Sequence, residues 1–504
     1  MDKKKRYLVT YTKGDVSKTT AVSILNVPKT RCKDGVTTMA LEEVPASSDV
    51  LHFEKLGVSA LELSEEEVKI LQNSKEVLSV EEDYEVHALD FDQKDFLNSF
   101  LEDDGDYDFE DESFEDEYMD EDYDLDSEIE AEEYPNLRDF RLRGKKVRRP
   151  KLKKKKRPIQ PWWPGARPGS IPPIAVLPRW KQRIVRAVLR DVYVSLLRNL
   201  RYSSPAPTPP SYQDYPWNME LVNAPAAWRR KITGKGVNVA VLDSGIASHV
   251  DLSISGGVSF VAGESSFNDR NGHGTHCAGI LAAKNNSTGV VGVAPDVNLF
   301  AVKVLGDNCS GFTSDIIAAL EWCLKNNIQV ASMSLGGAYG PSLAYASIIE
   351  RCQDRGLAVV VAAGNSFQTS YPWVNGPANT FVPNTPNASP IAVGAVDRRG
   401  RIANFSSRGR RSNEWNPVTC VAPGVRINST YLKNGYTELS GTSMACPHVA
   451  GLVALLTQKY ADVPANRRVA LIKNIIANTS MDLGDNAFDE TYGAGLINCD
   501  AAVS

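Results

Sequence analysis

Cysteine is scarce in this 504-residue chain: there are eight, seven of them after position 270, and no two stand in CxxC spacing. That excludes a dense disulfide scaffold and a zinc ribbon, and the thiols read as reduced. Nowhere do eighteen apolar residues run together, so no transmembrane helix is expected. After the basic residues 1–6 comes only a short alternating stretch, Tyr7 to Thr12, closed by Lys13-Gly14-Asp15. This is not the apolar core and small-residue cleavage site of a secretory leader. A cytoplasmic location is the expectation, with export by another route as the alternative. No internal repeat of solenoid or propeller period occurs. Histidine is also rare, six in all, and no HExxH pair exists. The pair His273 and His276 has no acidic residue between them, which argues against a zinc peptidase of that type.

The length allows two or three folded units at roughly 100–200 residues per domain. The hydrophobic fraction of 42% is slightly low, and the deficit lies between residues 91 and 211. There an acidic run (102–133) precedes a basic one (138–157), so the net charge of −6 averages two opposed blocks. Like charges at that density repel and cannot bury a core. Pro-rich stretches flank residues 180–201, where Ile184, Val188, Val192, Leu196 and Leu200 recur at helical spacing among arginines, predicting a basic amphipathic helix. The two charged blocks are expected to pair with each other. A sharper expectation is that residues 138–157 and 180–201 bind an anionic membrane surface or nucleic acid.

Three regions follow: 1–90, 91–211 and 212–504. In the first, residues 6–11 and 35–41 read as strands. Residues 64–72 read as a helix opened by a capping box of Ser64 and Glu67, and residues 76–88 as a final strand and exit. This is a small α+β unit. From 212 onward, β-rich runs (237–242, 299–304, 330–334, 358–362, 391–396) alternate with helical ones (273–283, 314–326, 342–355, 443–460). Such alternation predicts an α/β fold with a mostly parallel sheet covered by helices on both faces.

Within that region three residues stand where chemistry is exposed. Asp243 ends an apolar strand and precedes Ser244-Gly245, at the carboxyl edge where α/β sheets carry their sites; its plain alternative is a turn cap. His273 lies in Asn271-Gly272-His273-Gly274-Thr275-His276 at a helix start, and His276 remains an alternative base. Ser443 lies in Gly441-Thr442-Ser443-Met444-Ala445-Cys446-Pro447-His448-Val449-Ala450-Gly451 and opens a long apolar helix. The positive end of that helix faces whatever its hydroxyl attacks. Pro447 is read as falling in the first turn, where a missing N–H is tolerated. Cys277, one turn from His273, reads as a buried structural thiol.

DSG, HGTH and GTSMACPHVAG, in that order, resemble the three signatures of the subtilisin-like serine proteases (subtilases), whose Asp, His, Ser order is the known one for subtilisins. The resemblance covers residues 212–504, and a weaker one covers 1–90. It implies a serine endopeptidase made as a self-processing zymogen, with Ser443 as nucleophile, His273 as base and then acid, and Asp243 orienting the imidazole. Asn365, after Gly364 in the run Val359 to Asn365, would donate to the oxyanion beside the Ser443 N–H. Ser334-Leu335-Gly336 and Ser310-Gly311 would be strands pairing with an extended polypeptide substrate. Residues 368–390 depart from the family pattern, so the preferred side chain stays open. The resemblance also implies structural calcium held by Gln213, Asp251, Asn286 and the backbone oxygens of Lys284, Thr288 and Val290. Residues 1–90 resemble the family's inhibitory pro-domain, whose tail Glu85-Val86-His87-Ala88-Leu89 would lie in the cleft; cleavage near residues 87–91, near residues 202–212 or at both is open, with a first cut near residue 90 and later removal of the linker as the expectation. A monomer is expected. The competing reading is a catalytically silent subtilase-fold binding or scaffold protein.

Overall fold

In a computed structural model, the structure describes residues 5–13, 16–25, 50–89, 215–381, 389–409, 417–485 and 487–504, with a few side chains of the first helix excepted. The expectations for strand 35–41, for the charged segment with its amphipathic helix, and for Gln213 lie outside these residues. The described residues all belong to one compact unit.

The chain opens with β1 (Lys5–Tyr11), α1 (Lys18–Leu25), β2 (Val50–Phe53), β3 (Val58–Leu63), α2 (Glu65–Gln72), β4 (Val77–Glu82) and β5 (Glu85–Ala88). Strands β1–β4 form an antiparallel sheet in the order β2-β3-β1-β4. The capping box is formed: Glu67 N donates to Ser64 Oγ, and Ser64 N donates to the Glu67 carboxylate. Alternation along β1 divides its residues between two cores. Val9 and Tyr11 join Leu25, Leu63 and Leu71 in a small core of this unit, whereas Leu8 joins the main core. Residues 76–88, expected as a final strand and exit, form the strand β4 and then, in place of the exit, a second strand, β5. The chain turns at Asp83 and Tyr84, so that β5 leaves the four-stranded sheet for another. A continuous strand would have kept β5 beside β1, away from its partners.

The larger part contains β6 (Asn238–Asp243), β7 (Ile254–Ser259), α3 (His273–Ala282), β8 (Asn298–Lys303), β9 (Ser310–Phe312), α4 (Thr313–Lys325), β10 (Val330–Met333), β11 (Leu335–Gly336), α5 (Leu343–Asp354), β12 (Ala358–Ala362), β13 (Ile391–Val396), β14 (Cys420–Pro423), β15 (Ile427–Tyr431), β16 (Gly435–Leu439), α6 (Thr442–Lys459) and α7 (Ala465–Thr479). Seven strands form one parallel sheet in the order β14-β13-β12-β10-β6-β8-β7. Every residue of β10, β12 and β13 is buried, as their unbroken apolar composition requires of strands covered on both faces. Helix α6 packs against β10, β12, β13 and β14 and against α3. That contact brings the starts of two helices together at the carboxyl edge of the sheet.

Candidate active site

Asp243 is the last residue of β6 and is fully buried. His273, the first residue of α3, is also buried, and its Nδ1 donates to Asp243 Oδ1 at 2.7 Å. The approach depends on Gly274, where a Cβ would stand 2.1 Å from the Gly245 carbonyl oxygen. His276 points elsewhere. Its Nε2 lies 3.0 Å from the carbonyl oxygens of Ile427 and Thr437, which commits it to the β15–β16 hairpin rather than to proton transfer.

The two dyad elements are tied by Asp269, a residue the sequence reading passed over. Its buried carboxylate accepts from the backbone N–H groups of Asn271, Gly272 and Thr275 (2.9 Å each), from Thr275 Oγ1 (2.6 Å) and from Ser244 Oγ (3.0 Å). Ser244 Oγ in turn accepts from Gly274 N at 2.9 Å. The only cue in the sequence is an acidic residue shortly before a helix start.

Ser443 is the second residue of α6, buried, with its hydroxyl donating to the Ser334 carbonyl at 3.1 Å. Because α6 begins at Thr442, Pro447 is its sixth residue and not in the first turn, contrary to the reading from sequence. The missing N–H would have served the carbonyl of Ser443, four residues back. That oxygen accepts instead from Ser334 Oγ at 2.8 Å and from Cys277 Sγ at 3.5 Å. Cys277 is fully buried, 4.0 Å from His273 Nε2, and burial pushes its thiol up to about 11, which keeps it neutral and structural. His448, one turn further on, has Nδ1 donating to the Met444 carbonyl and Nε2 accepting from Asn218 Nδ2, both at 2.8 Å.

Asn365 follows Gly364, whose φ of +112° and lack of a Cβ let the chain turn against Asn375 and Ser407. Asn365 Oδ1 accepts from both the N–H and the hydroxyl of Thr442, each at 2.9 Å. That pairing orients the amide so that its Nδ2 faces outward. Nδ2 donates to the carbonyl oxygen of Leu89 at 2.5 Å.

Strand β5 fills the cleft. It lies antiparallel between β9 and β11, with Val86 opposite Gly311, His87 opposite Ser310 and Gly336, and Ala88 opposite Leu335. Ala88 N donates to the Cys309 carbonyl at 3.0 Å and Leu89 N to the Ser334 carbonyl at 3.3 Å. Val86 and Leu89 point inward and are buried, and a Cβ at Gly336 would sit 3.2 Å from Leu89 Cδ1. Thus Ser310, Gly311, Ser334, Leu335 and Gly336 gather around one extended strand, whereas Gly364 meets Asn375, Ser407 and Thr442 beside Asn365.

A second cluster surrounds Asp251. Its buried carboxylate accepts from Asn286 Nδ2 (3.0 Å), Val290 N (3.0 Å) and Tyr436 OH (3.3 Å), and Thr288 donates to Asn286 Oδ1. Burial raises the Asp251 carboxyl above its ordinary value. Gly289, with φ of +62°, passes so close that a Cβ would lie 2.4 Å from Asp251 Oδ2. The Asp251 carboxylate and Asn286 Oδ1 are hard oxygen atoms of the type calcium takes, but here the carboxylate faces N–H and O–H donors and Asn286 Oδ1 accepts from Thr288, so an ion would have to displace these hydrogen bonds.

The subtilase family matches residues 234–495. Subtilisin Savinase of Lederbergia lenta is 46% identical over 290 residues, 58% of this chain and 99% of that protein. M-protease of Shouchella clausii is 46% identical over 290 residues, 58% of this chain and 70% of that protein. Subtilisin DY of Bacillus licheniformis is 44% identical over 291 residues, 58% of this chain and 99% of that protein. With the fold, the motifs and these relatives in agreement, the chain belongs to the subtilase family of serine endopeptidases.

Proposed function

We propose that Ser443, His273 and Asp243 hydrolyse peptide bonds in polypeptides, and that the first bond cut is the chain's own Leu89–Asp90. The observation that carries this reading is the Leu89 carbonyl. It accepts from Asn365 Nδ2 while the Leu89 N–H is held by Ser334 and Ser443 stands at the adjoining helix start. Ser443 Oγ attacks the Leu89 carbonyl carbon as His273 takes its proton, and Asp243 stabilises the resulting imidazolium. The Asn365 hydrogen bond to this oxygen strengthens as negative charge develops on it. His273 then passes the proton to the Asp90 amine, which leaves, and water hydrolyses the acyl-enzyme by the reverse sequence.

In this reading residues 1–90 form an inhibitory pro-domain, 91–211 a linker and 212–504 the catalytic domain. Asp251, Asn286 and the carbonyls of Lys284, Thr288 and Val290, with Gln213, would hold a calcium ion that stiffens the loop after α3. Chelation is expected to lower Tm, and calcium to restore it. The catalytic reading is tested by expressing the intact chain beside Ser443→Ala and sequencing the new N-termini. An N-terminus at Asp90 in the wild type alone supports it. Equal processing and equal peptide hydrolysis by both proteins refutes it.

A further inference from the structure

The β5 strand does not enter the cleft alone. Counting back from Leu89 as the first residue before the cut bond, Tyr84 is the sixth, Asp83 the seventh and Glu81 the ninth. Each meets a fitted group on the catalytic part. Tyr84 stacks on Tyr339, ring centroids 4.9 Å apart and planes 13° from parallel. Asp83 Oδ1 accepts from Ser314 N, in the first turn of α4, at 2.9 Å. Glu81 accepts from Ala344 N, in the first turn of α5, at 2.9 Å, and from the hydroxyl of Ser342, the N-cap of that helix. Two helix starts, 13 and 12 residues long, are therefore each occupied by a carboxylate, where free N–H groups and the helix dipole favour negative charge.

Tyr339 is itself held from the segment that departs from the family pattern: Tyr371 OH and Asn379 Nδ2 both donate to its carbonyl, at 2.9 and 2.6 Å. A Cβ at Gly376 would collide with its ring at 2.0 Å, so the ring lies directly on this backbone. The unusual segment thus builds a platform for an aromatic side chain six residues before the cleaved bond.

We infer that, once the pro-domain has left, these groups select substrates that carry an acid-x-acid-aromatic sequence at the ninth to sixth positions before the cut. The inference rests on the proposed cleavage chemistry and extends its recognition beyond the strand-paired residues. The two acidic positions differ in strength. Asp83 also has the Arg6 guanidinium 3.2 Å from Oδ2, and Asp315 lies near it on α4. A substrate lacking that arginine keeps the Ser314 N–H but faces the Asp315 carboxylate, so the ninth position carries more of the selectivity.

The test uses the self-processed full chain and a peptide of residues 79–92, compared with the same peptide carrying Glu81→Gln, Asp83→Asn and Tyr84→Ala. The native peptide is expected to show about 30-fold higher kcat/KM, carried by KM, as for two weak, solvent-screened charge-assisted contacts and one aromatic stack. Glu81→Gln alone should account for more of this than Asp83→Asn alone. Enzyme carrying Ser342→Asp keeps a competent N-cap but sets a charge against the ninth residue, and should reduce the preference to under about 5-fold. Equal kcat/KM for the two peptides within about two-fold, or a preference untouched by Ser342→Asp, overturns the inference while leaving peptide hydrolysis intact. Failure to cut either peptide, together with equal behaviour of Ser443→Ala, overturns the underlying reading instead.

Discussion

The side-chain amide of Asn365 donates to the carbonyl oxygen of Leu89, and Thr442 holds that amide in place from behind. Asn365→Leu removes the donor and leaves the leucine strand bound. Losing one such donor costs about 2.7–4 kcal/mol, a figure that itself comes from a subtilisin, so kcat should fall about 10²–10³-fold with little change in KM. Thr442→Val removes one of the two clamps and should cost about 10-fold in kcat through misorientation alone. Steady-state kinetics on a short chromogenic peptide separates the two.

Asp269 touches no reacting atom, yet it receives five donors that join the residue after Asp243 to the start of the His273 helix. Asp269→Asn turns one acceptor oxygen into a donor facing N–H groups. The unsatisfied contact should cost about 1–3 kcal/mol of stability. As a positioning residue, its loss should also lower kcat and displace the acidic limb of the pH profile of kcat/KM. A stability loss with an unchanged pH profile would assign Asp269 to folding alone.

Release of the pro-domain should depend on pH. Asp315 lies beside the docked Asp83, and desolvation pushes it up to about 7, with the Phe312 N–H opposing the rise, Asp83 adding to it by repulsion and Arg6 opposing it; Asp83 is itself raised by burial. Tyr345 and Tyr339 border the same spot and stay neutral. A carboxyl raised in the complex contributes to docking fully below its free value near 4, and that contribution disappears as pH climbs through about 7. The lag before full activity should therefore shorten from pH 5 to pH 8, on the order of several-fold. Asp315→Asn, which keeps an acceptor for Phe312 N, should flatten much of this dependence. The lag is read against the activity of fully released enzyme at each pH.

His448 gives the opposite slope in the fold itself. Burial, the largest cause, lowers its imidazole to about 4 from an ordinary 6.5. The folded protein binds fewer protons than the unfolded chain, so stability is full above pH 6.5 and declines as pH falls toward 4, by about 3 kcal/mol. Urea midpoints of the Ser443→Ala chain at pH 7.5 and 4.5 measure the slope, and His448→Gln should remove part of it. An identical slope in the variant would place the acid sensitivity elsewhere.

Much of this was legible in one dimension because its causes are local. The β-branched apolar run Val359 to Ala362 favours a strand covered on both faces over a buried helix turn, and Ser64 with Glu67 carries its own helix start. Asp243, His273 and Ser443 announce themselves because each needs a particular backbone around it, and that need is written in adjacent glycines and small residues. Thr442 sat inside the quoted motif without its role being apparent, since its partner lies 77 residues away.

Only the tertiary structure decided which atoms meet. That His273 and not His276 faces Asp243 depends on where the β15–β16 hairpin passes. That Pro447 frees a carbonyl for Ser334 depends on where α6 begins. That Glu81, Asp83 and Tyr84 each find a partner depends on two helix starts and a tyrosine brought together from separate stretches of chain. Residue order constrains the torsions of each segment and the face it must bury, whereas a hydrogen bond across hundreds of residues exists only when packing has set both ends within about 3 Å.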